Sequence, residues 1–141
     1  MRPSMTPGLT YSLRYKVPRD KTVPFIYPEN PDFTKMPEVF ATGFMVALME
    51  WSCCEAIKPH LEKGEGSLGS MIEVTHEAAT PAGFIVTVDC KLEQVDGRKL
   101  LFSIEANDGY DVIGRGRHGR VVVRWDKFYA RLEEKTAKGP A

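Results

Sequence analysis

Glu50 is the residue whose surroundings are least typical of its type. It lies in Ala41–Lys58, ATGFMVALMEWSCCEAIK, a stretch that is apolar at nearly every position. On a helix of 3.6 residues per turn, its neighbours one turn away are all uncharged: Val46, Ala47, Cys53 and Cys54. A carboxylate in that setting is paired, protonated or facing a cavity, because burying a lone charge is costly. Glu50 is therefore the leading candidate for a catalytic carboxylate, with a structural ion pair as the alternative.

Thr42 stands at the predicted start of the same helix, where threonine is a common N-cap. Its hydroxyl would also lie near backbone N–H groups that favour anions. If the helix is continuous from Thr42, Glu50 lies about 12 Å further along its axis. The two side chains then cannot bond within one chain. Either Thr42 belongs to the preceding loop, or a site that uses both residues is assembled across a dimer interface.

Two further residues have a functional and a structural interpretation. His76 ends a predicted strand and could transfer a proton, although a core histidine is the commoner case. Gly69 lies where a turn becomes that strand, so it either serves the turn or leaves a backbone N–H open to a substrate oxygen. His60, which follows a proline, and His118, between glycines and arginines, have less support.

The segment Gly114–Arg120, GRGRHGR, formally contains a GxGxxG pattern. A dinucleotide site is rejected, because that motif precedes a helix and the VVVRW that follows here is typical of a strand. Glycines inside a strand indicate close approach of a ligand or of another backbone. Arg115 and Arg117 share one face of this strand, and Arg120 and Arg124 share the other. Arginines can hold phosphates or carboxylates, but ordinary ion pairs are more frequent.

Composition narrows the class of protein. Lys plus Arg equal Asp plus Glu at 19 each, which argues against nucleic-acid or membrane-surface binding as the main role and favours self-association. There is no GxSxG, P-loop, HExxH or CxxC motif, so no metal site is expected. The three cysteines do not form a disulfide framework, and Cys53 and Cys54 are interpreted as packing residues. With no apolar signal region, the sequence predicts a cytoplasmic protein.

The elements that must position these residues predict one domain over residues 1–141. Alternating apolar residues predict strands over Leu9–Val17, Ser67–His76 (with Ile72, Val74 and His76 on its inward face), Gly83–Val95, Leu100–Ala106 and Val112–Trp125. A short helix is expected over Asp126–Lys135 and a frayed tail after it. The proline-rich Pro18–Pro37 is predicted to be irregular, either a lid or a packed connection. One long helix followed by a four-strand meander predicts the α+β class, with an antiparallel sheet around that helix.

Three separated motifs carry a resemblance to a known family. PEVFATGFMVALMEW (Pro37–Trp51), GEGSLGS (Gly64–Ser70) and VTHEAATP (Val74–Pro81) closely resemble the fluoroacetyl-CoA thioesterase family. The similarity extends from about Lys21 through the C-terminal KFYARLEEKT. It implies a hot-dog fold, a homodimer with active sites at the subunit interface, and hydrolysis of an acyl-CoA thioester without a metal or prosthetic group.

The resemblance also implies roles for individual residues. The family's catalytic residues fall on Thr42, Glu50 and His76, each inside a matching motif. Its glycine that contacts the thioester falls on Gly69, and its substrate-pocket arginine falls on Arg120. Within these roles, Glu50 is either the nucleophile or the general base that activates water.

The family's aromatic lid corresponds to the proline-rich segment. Phe33 is present there, but Met36 stands where the family has a second aromatic residue. Since methionine is flexible, this departure leaves thioesterase chemistry as the prediction but not strict discrimination for the fluorinated acyl group. The main hypothesis is hydrolysis of a short-chain acyl-CoA, with fluoroacetyl-CoA as the leading substrate. The alternatives are an acyl-CoA hydratase or dehydratase, and a non-enzymatic module that binds acyl-CoA or nucleic acid.

Overall fold

The computed structural model describes the whole chain, Met1–Ala141. Its strands are β1 (Thr10–Lys16), β2 (Glu65–Val74), β3 (Ile85–Asp96), β4 (Lys99–Asn107) and β5 (Val112–Arg124). Its α-helices are α1 (Pro31–Thr34), α2 (Thr42–Ile57) and α3 (Trp125–Ala137). Short 3-10 turns occupy Arg19–Lys21, Val23–Phe25 and Lys58–His60. The predicted elements are therefore all present, although α3 extends into the segment that was predicted to fray.

The five strands form one antiparallel sheet in the order β1-β3-β4-β5-β2. The predicted four-strand meander is correct for β3, β4 and β5 but wrong for β2, which pairs with β5 instead of β3. The chain between β2 and β3 does not form a hairpin. It continues along β5 through hydrogen bonds from Thr75 N to Arg115 O (2.9 Å) and from Glu77 N to Ile113 O (2.6 Å). As a result, β2 is an edge strand and His76 lies beyond its end.

Helix α2 packs against the sheet, mainly on β3 and β1. Its buried side chains include Met45, Met49, Cys53 and Ile57, which join Val86, Val88 and Leu92 of β3 in the core. The α+β class with a sheet around one helix is thus confirmed. The helix is not enclosed on every side, since Trp51 is 47% exposed. None of the helices combines the length and the apolar character that crossing a lipid bilayer requires.

The proline-rich segment is irregular, as predicted, apart from its helical turns. Backbone hydrogen bonds fasten it to the residues just before α2, from Val23 N to Val39 O (3.0 Å) and from Ala41 N to Lys21 O (3.1 Å). The rings of Tyr27 and Phe33 stack with centroids 6.0 Å apart. The segment therefore packs near the start of α2, where Ile26 Cδ1 lies against Gly43.

Candidate active site

Glu50 lies in the middle of α2, and its side chain is 38% exposed. It opens into a cleft of about 300 Å³ whose other lining residues are Val46, Gly69, Ser70, Met71, Ile72 and His118. Of the alternatives that the helix pattern left open, Glu50 meets two: it is paired with a cation and it faces a cavity. The carboxylate is therefore paired and partly exposed, and it is not a buried lone charge.

Ile72, which lines the same cleft, is also partly exposed. Its Cα pairs with that of His118 in the β2–β5 register, so its side chain is on the inward face, as predicted. Ile72 is nevertheless 44% exposed. Alternation thus predicted the face of Ile72 correctly, but the side chain is not covered by other parts of this chain.

Arg120 supplies the cation beside Glu50. It lies on β5, is only 5% exposed, and donates from Nη1 to Glu50 Oε1 at 3.3 Å. Its Nε donates to Ser67 Oγ at 2.8 Å and its Nη2 to Ser67 O at 2.9 Å. Ser67 thus binds the Nε and Nη2 side of the guanidinium, while Nη1 faces Glu50.

His118 was the residue that sequence reasoning undervalued. It is 1% exposed, and its Nε2 lies 3.0 Å from Arg120 Nη1 and 3.6 Å from Glu50 Oε1. Burial lowers the pKa of His118 below that of a free imidazole, so the ring is neutral at pH 7. A signal was available, because His118 has the same strand parity as Arg120 and Val122 and therefore points to the inward face.

Gly69 completes this group of residues. It is opposite Arg120 in the β2–β5 register, next to a shift in that register between Gly69 and Met71. A Cβ at this position would overlap Glu50 Oε1 and contact His118 Cε1 at 3.4 Å. The absent side chain therefore makes the room that the Glu50 carboxylate occupies. This is a reason for glycine that neither of the sequence interpretations contained.

Thr42 and His76 form a second group. Thr42 Oγ1 lies 2.7 Å from His76 Nδ1. Thr42 is the first residue of α2, while the N-cap position belongs to Ala41 and no side chain caps the helix. The N-cap interpretation of Thr42 is therefore wrong, since its hydroxyl bonds to the imidazole instead.

The other ring nitrogen of His76, Nε2, is buried and has no hydrogen-bond partner in the chain. Burial lowers the pKa of His76, so this ring too is neutral at pH 7. A buried polar atom without a partner in its own chain can bond to water, to a ligand or to a second chain. The hydrogen bonds of Thr75 and Glu77 to β5 hold the backbone on both sides of His76 and so fix its position.

The two groups are separate within one chain. Because α2 is continuous from Thr42 to Ile57, Thr42 and Glu50 are about 12 Å apart along the helix axis. The option that Thr42 belongs to the preceding loop is thereby excluded. One chain brings Glu50, Gly69 and Arg120 together, and separately Thr42 and His76.

The lid residues do not line the Glu50 cleft. Phe33 is half-buried on α1, and Met36 is 43% exposed just after it. The proline-rich segment instead approaches the start of α2, through the contact of Ile26 with Gly43. Within one chain, this segment lies nearer to Thr42 than to Glu50.

The remaining sequence candidates have structural explanations. Arg115 pairs with Glu77 at 2.9 Å and Arg117 with Glu73 at 3.0 Å, which are ordinary surface ion pairs. Gly114 lies against the backbone of Thr75, where a Cβ would overlap the carbonyl oxygen, so the close approach is by backbone. Cys53 and Cys90 are buried in the core, and no cluster of three His, Cys, Asp or Glu side chains could hold a metal ion.

Comparison with known proteins gives a consistent result. A family model described as fluoroacetyl-CoA-specific thioesterase matches residues 25–126. The fluoroacetyl-CoA thioesterase of Streptantibioticus cattleyicolor is 51% identical over 139 residues, which cover 99% of this chain and 100% of that protein. A solved structure of a fluoroacetyl-CoA thioesterase is 52% identical, covers 94% of this chain and 98% of its own, and superposes with a TM-score of 0.91.

A more distant solved structure extends the similarity to a wider group. A thioesterase superfamily member from Thermus thermophilus is 30% identical and covers 98% of this chain and 97% of its own, with a TM-score of 0.85. Together with the sheet around α2, these likenesses confirm the hot-dog fold. The chain belongs to the fluoroacetyl-CoA-specific thioesterase family.

Proposed function

We propose that this protein hydrolyses the thioester of a short-chain acyl-CoA, with fluoroacetyl-CoA as the preferred substrate, to the free acid and coenzyme A. Family membership supports the reaction class. The observation that carries the proposal is the Glu50 carboxylate, held by Arg120 in an open cleft against Gly69. A carboxylate that is fixed and accessible is what thioester cleavage requires.

Glu50 acts by one of two routes. As a nucleophile, it attacks the thioester carbonyl and forms an acyl anhydride with release of the coenzyme A thiolate, and water then cleaves the anhydride. As a general base, it removes a proton from a water molecule that attacks the same carbon. In both routes, Gly69 N–H and the charge of Arg120 favour the developing oxyanion. Neither route needs a metal or prosthetic group.

We propose that the complete site forms in a cytoplasmic homodimer, in which the Thr42–His76 pair of one protomer faces Glu50 of the partner subunit. Three features support this arrangement: the length of α2 between Thr42 and Glu50, the exposed inward face of β2, and the unpartnered Nε2 of His76. If Thr42 donates to Nδ1, the ring proton lies on Nε2, which can then donate a hydrogen bond to a carboxylate or to the leaving thiolate.

The lid residues Phe33 and Met36 are assigned to the acyl end of the substrate. The stacked pair of Tyr27 and Phe33 gives the lid a rigid part, and the exposed Met36 gives it a flexible one. Because methionine fills space without a fixed shape, discrimination against acetyl-CoA should be incomplete, which makes acetyl-CoA the closest competing substrate.

The test is steady-state hydrolysis of a panel of acyl-CoAs by the wild type and by Glu50→Gln, with the free thiol as the measured product. Fluoroacetyl-CoA should be cleaved fastest, and Glu50→Gln should lower kcat by at least about a hundredfold. Negligible rates of thiol release on every substrate would contradict the proposal that the protein is an acyl-CoA thioesterase. A preference for longer chains would exclude only the fluoroacetyl assignment. Conversion of an enoyl-CoA without thiol release would indicate the hydratase alternative.

A further inference from the structure

His118 is a buried imidazole directly beneath the Glu50 carboxylate, and the proposed chemistry assigns it no role. It is surrounded by polar partners on β2, α2 and its own strand: Met71 O at 2.8 Å, Arg120 Nη1 at 3.0 Å and Glu50 Oε1 at 3.6 Å. Burying a histidine in a core that apolar residues could fill is costly unless both ring nitrogens form hydrogen bonds. Both ring nitrogens of His118 have hydrogen-bond partners.

The partners fix the tautomer of the ring. Met71 O can only accept a hydrogen bond, so Nδ1 of His118 must carry the proton and donate it. Arg120 Nη1 can only donate, so Nε2 must present its lone pair. The neutral ring therefore connects the backbone of β2 to the guanidinium through one donor and one acceptor.

The guanidinium in turn holds Glu50 through a single carboxylate oxygen. Arg120 Nη1 approaches Oε1 at 3.3 Å, and His118 Nε2 is also nearest to Oε1. Since Nη1 carries two N–H bonds, one can point to the imidazole lone pair while the other points to Oε1. All these contacts leave Oε2 as the carboxylate oxygen that is free to face the cleft.

We propose that His118 is a positioning residue for Glu50: its Nε2 lone pair orients Arg120 Nη1 so that the guanidinium holds Oε1 and leaves Oε2 directed at the thioester. This inference rests on the proposed function of Glu50. The competing explanation is structural, namely that His118 acts through Met71 to support the register shift in β2.

Two substitutions separate the explanations, because each keeps one of the two hydrogen bonds. His118→Gln places an amide oxygen near the position of Nε2 and keeps the acceptor for Arg120. His118→Asn places an amide N–H near the position of Nδ1 and keeps the donor for Met71 O. Each variant loses one buried hydrogen bond, so the two substitutions should lower the stability of the protein by similar amounts. Thermal unfolding of both variants would check this.

The positioning role predicts that His118→Asn lowers kcat for fluoroacetyl-CoA by about tenfold with little change in KM, while His118→Gln stays within about threefold of the wild type. The reverse order, equal losses, or no loss in either variant would overturn it. Crystal structures of both variants give a readout that does not depend on turnover. Arg120 should leave hydrogen-bond distance of Glu50 only in His118→Asn. If the wild type proves inactive on all acyl-CoAs, the proposed function fails, and the Arg120–Glu50 distance alone decides the inference.

Discussion

Thr42 Oγ1 and His76 Nδ1 are 2.7 Å apart, although 34 residues separate them in the chain. The contact exists because the residues before α2 pair with the connection that follows β2. Phe40 N donates to Thr80 O at 2.7 Å, and Val39 forms a bridge with Pro81. The backbone thus holds the first residue of α2 beside the imidazole, and a change of either side chain should act on the other.

Removing the hydroxyl of Thr42 should lower activity without unfolding the protein. Thr42→Val keeps the shape of the side chain but leaves His76 Nδ1 without its partner, so kcat is expected to fall by about tenfold or more. Thr42→Ser keeps the hydroxyl and serves as the matched control, with activity close to that of the wild type. Steady-state rates for these variants and for Thr42→Val combined with His76→Ala would test the pair. Losses that simply multiply in the double variant would contradict a shared role.

The lowered pKa of His76 predicts the pH dependence of the reaction. His76 must be neutral for Nδ1 to accept the hydrogen bond of Thr42, and burial lowers its pKa below the value of about 6.5 of a free imidazole. As pH falls, kcat/KM should therefore decrease with a midpoint below about pH 6.5. An acid limb that is centred at or above pH 6.5 would contradict this expectation.

The same shift has a consequence for stability. Burial lowers the pKa values of both His76 and His118 in the folded state, so the unfolded chain binds more protons below about pH 6.5. The free energy of unfolding should thus decrease as pH falls from about 6.5 through the lowered pKa values. Urea unfolding at several pH values would measure this slope, and His118→Gln should reduce it.

The predictable parts of the fold are those that local sequence determines. Alternation identified the strands, and the apolar stretch identified α2, because these patterns follow from the periods of strand and helix. The pairing of β2 with β5 was missed, since nothing local in the sequence specifies which distant strand an edge strand will meet. The same limit explains the exposure of Ile72, whose inward orientation was predicted but whose covering surface was not.

The candidate site also contains residues that local sequence indicates and residues that only the long-range pairing of strands brings together. The pattern around Glu50 indicated an unusual carboxylate, and helix geometry correctly separated it from Thr42. The pattern could not indicate that Arg120 and His118 would be its neighbours, because they lie 70 and 68 residues away on β5. His118 was undervalued because it lies between glycines and arginines, and its place on a strand does not indicate which distant residues it will meet. One of these glycines, Gly116, is required because β5 there lies against the backbone of Glu73 and Val74.

The space left by Gly69 should be essential for the position of Glu50. In Gly69→Ala, the new methyl group would overlap Oε1, so the carboxylate must rotate away from Arg120, and kcat should fall by about tenfold or more. Stability should change by only about 1 kcal/mol, because the half-exposed side chain can move into the cleft.

The same substitution at Gly43 provides the control for Gly69→Ala. There the methyl group would make an ordinary contact with Ile26 Cδ1 at 3.5 Å, and alanine favours the helix by about 0.5–1 kcal/mol. Activity should be retained in Gly43→Ala. Equal activity of the two variants in steady-state assays would show that the room at Gly69 is not needed by Glu50.

Mixed dimers should test whether the site combines residues of two subunits. Glu50→Gln and His76→Ala are each expected to be nearly inactive alone. If each site takes Glu50 from one protomer and His76 from its partner, a mixed dimer carries both substitutions in one site and neither in the other. Random exchange of the two variants should then restore about a quarter of the wild-type activity, since about half of the dimers are mixed. A doubly substituted protein mixed with wild type is the control for subunit exchange. If the control shows that subunits exchange but activity does not recover, Glu50 and His76 act within one chain, in spite of the length of α2 between Thr42 and Glu50.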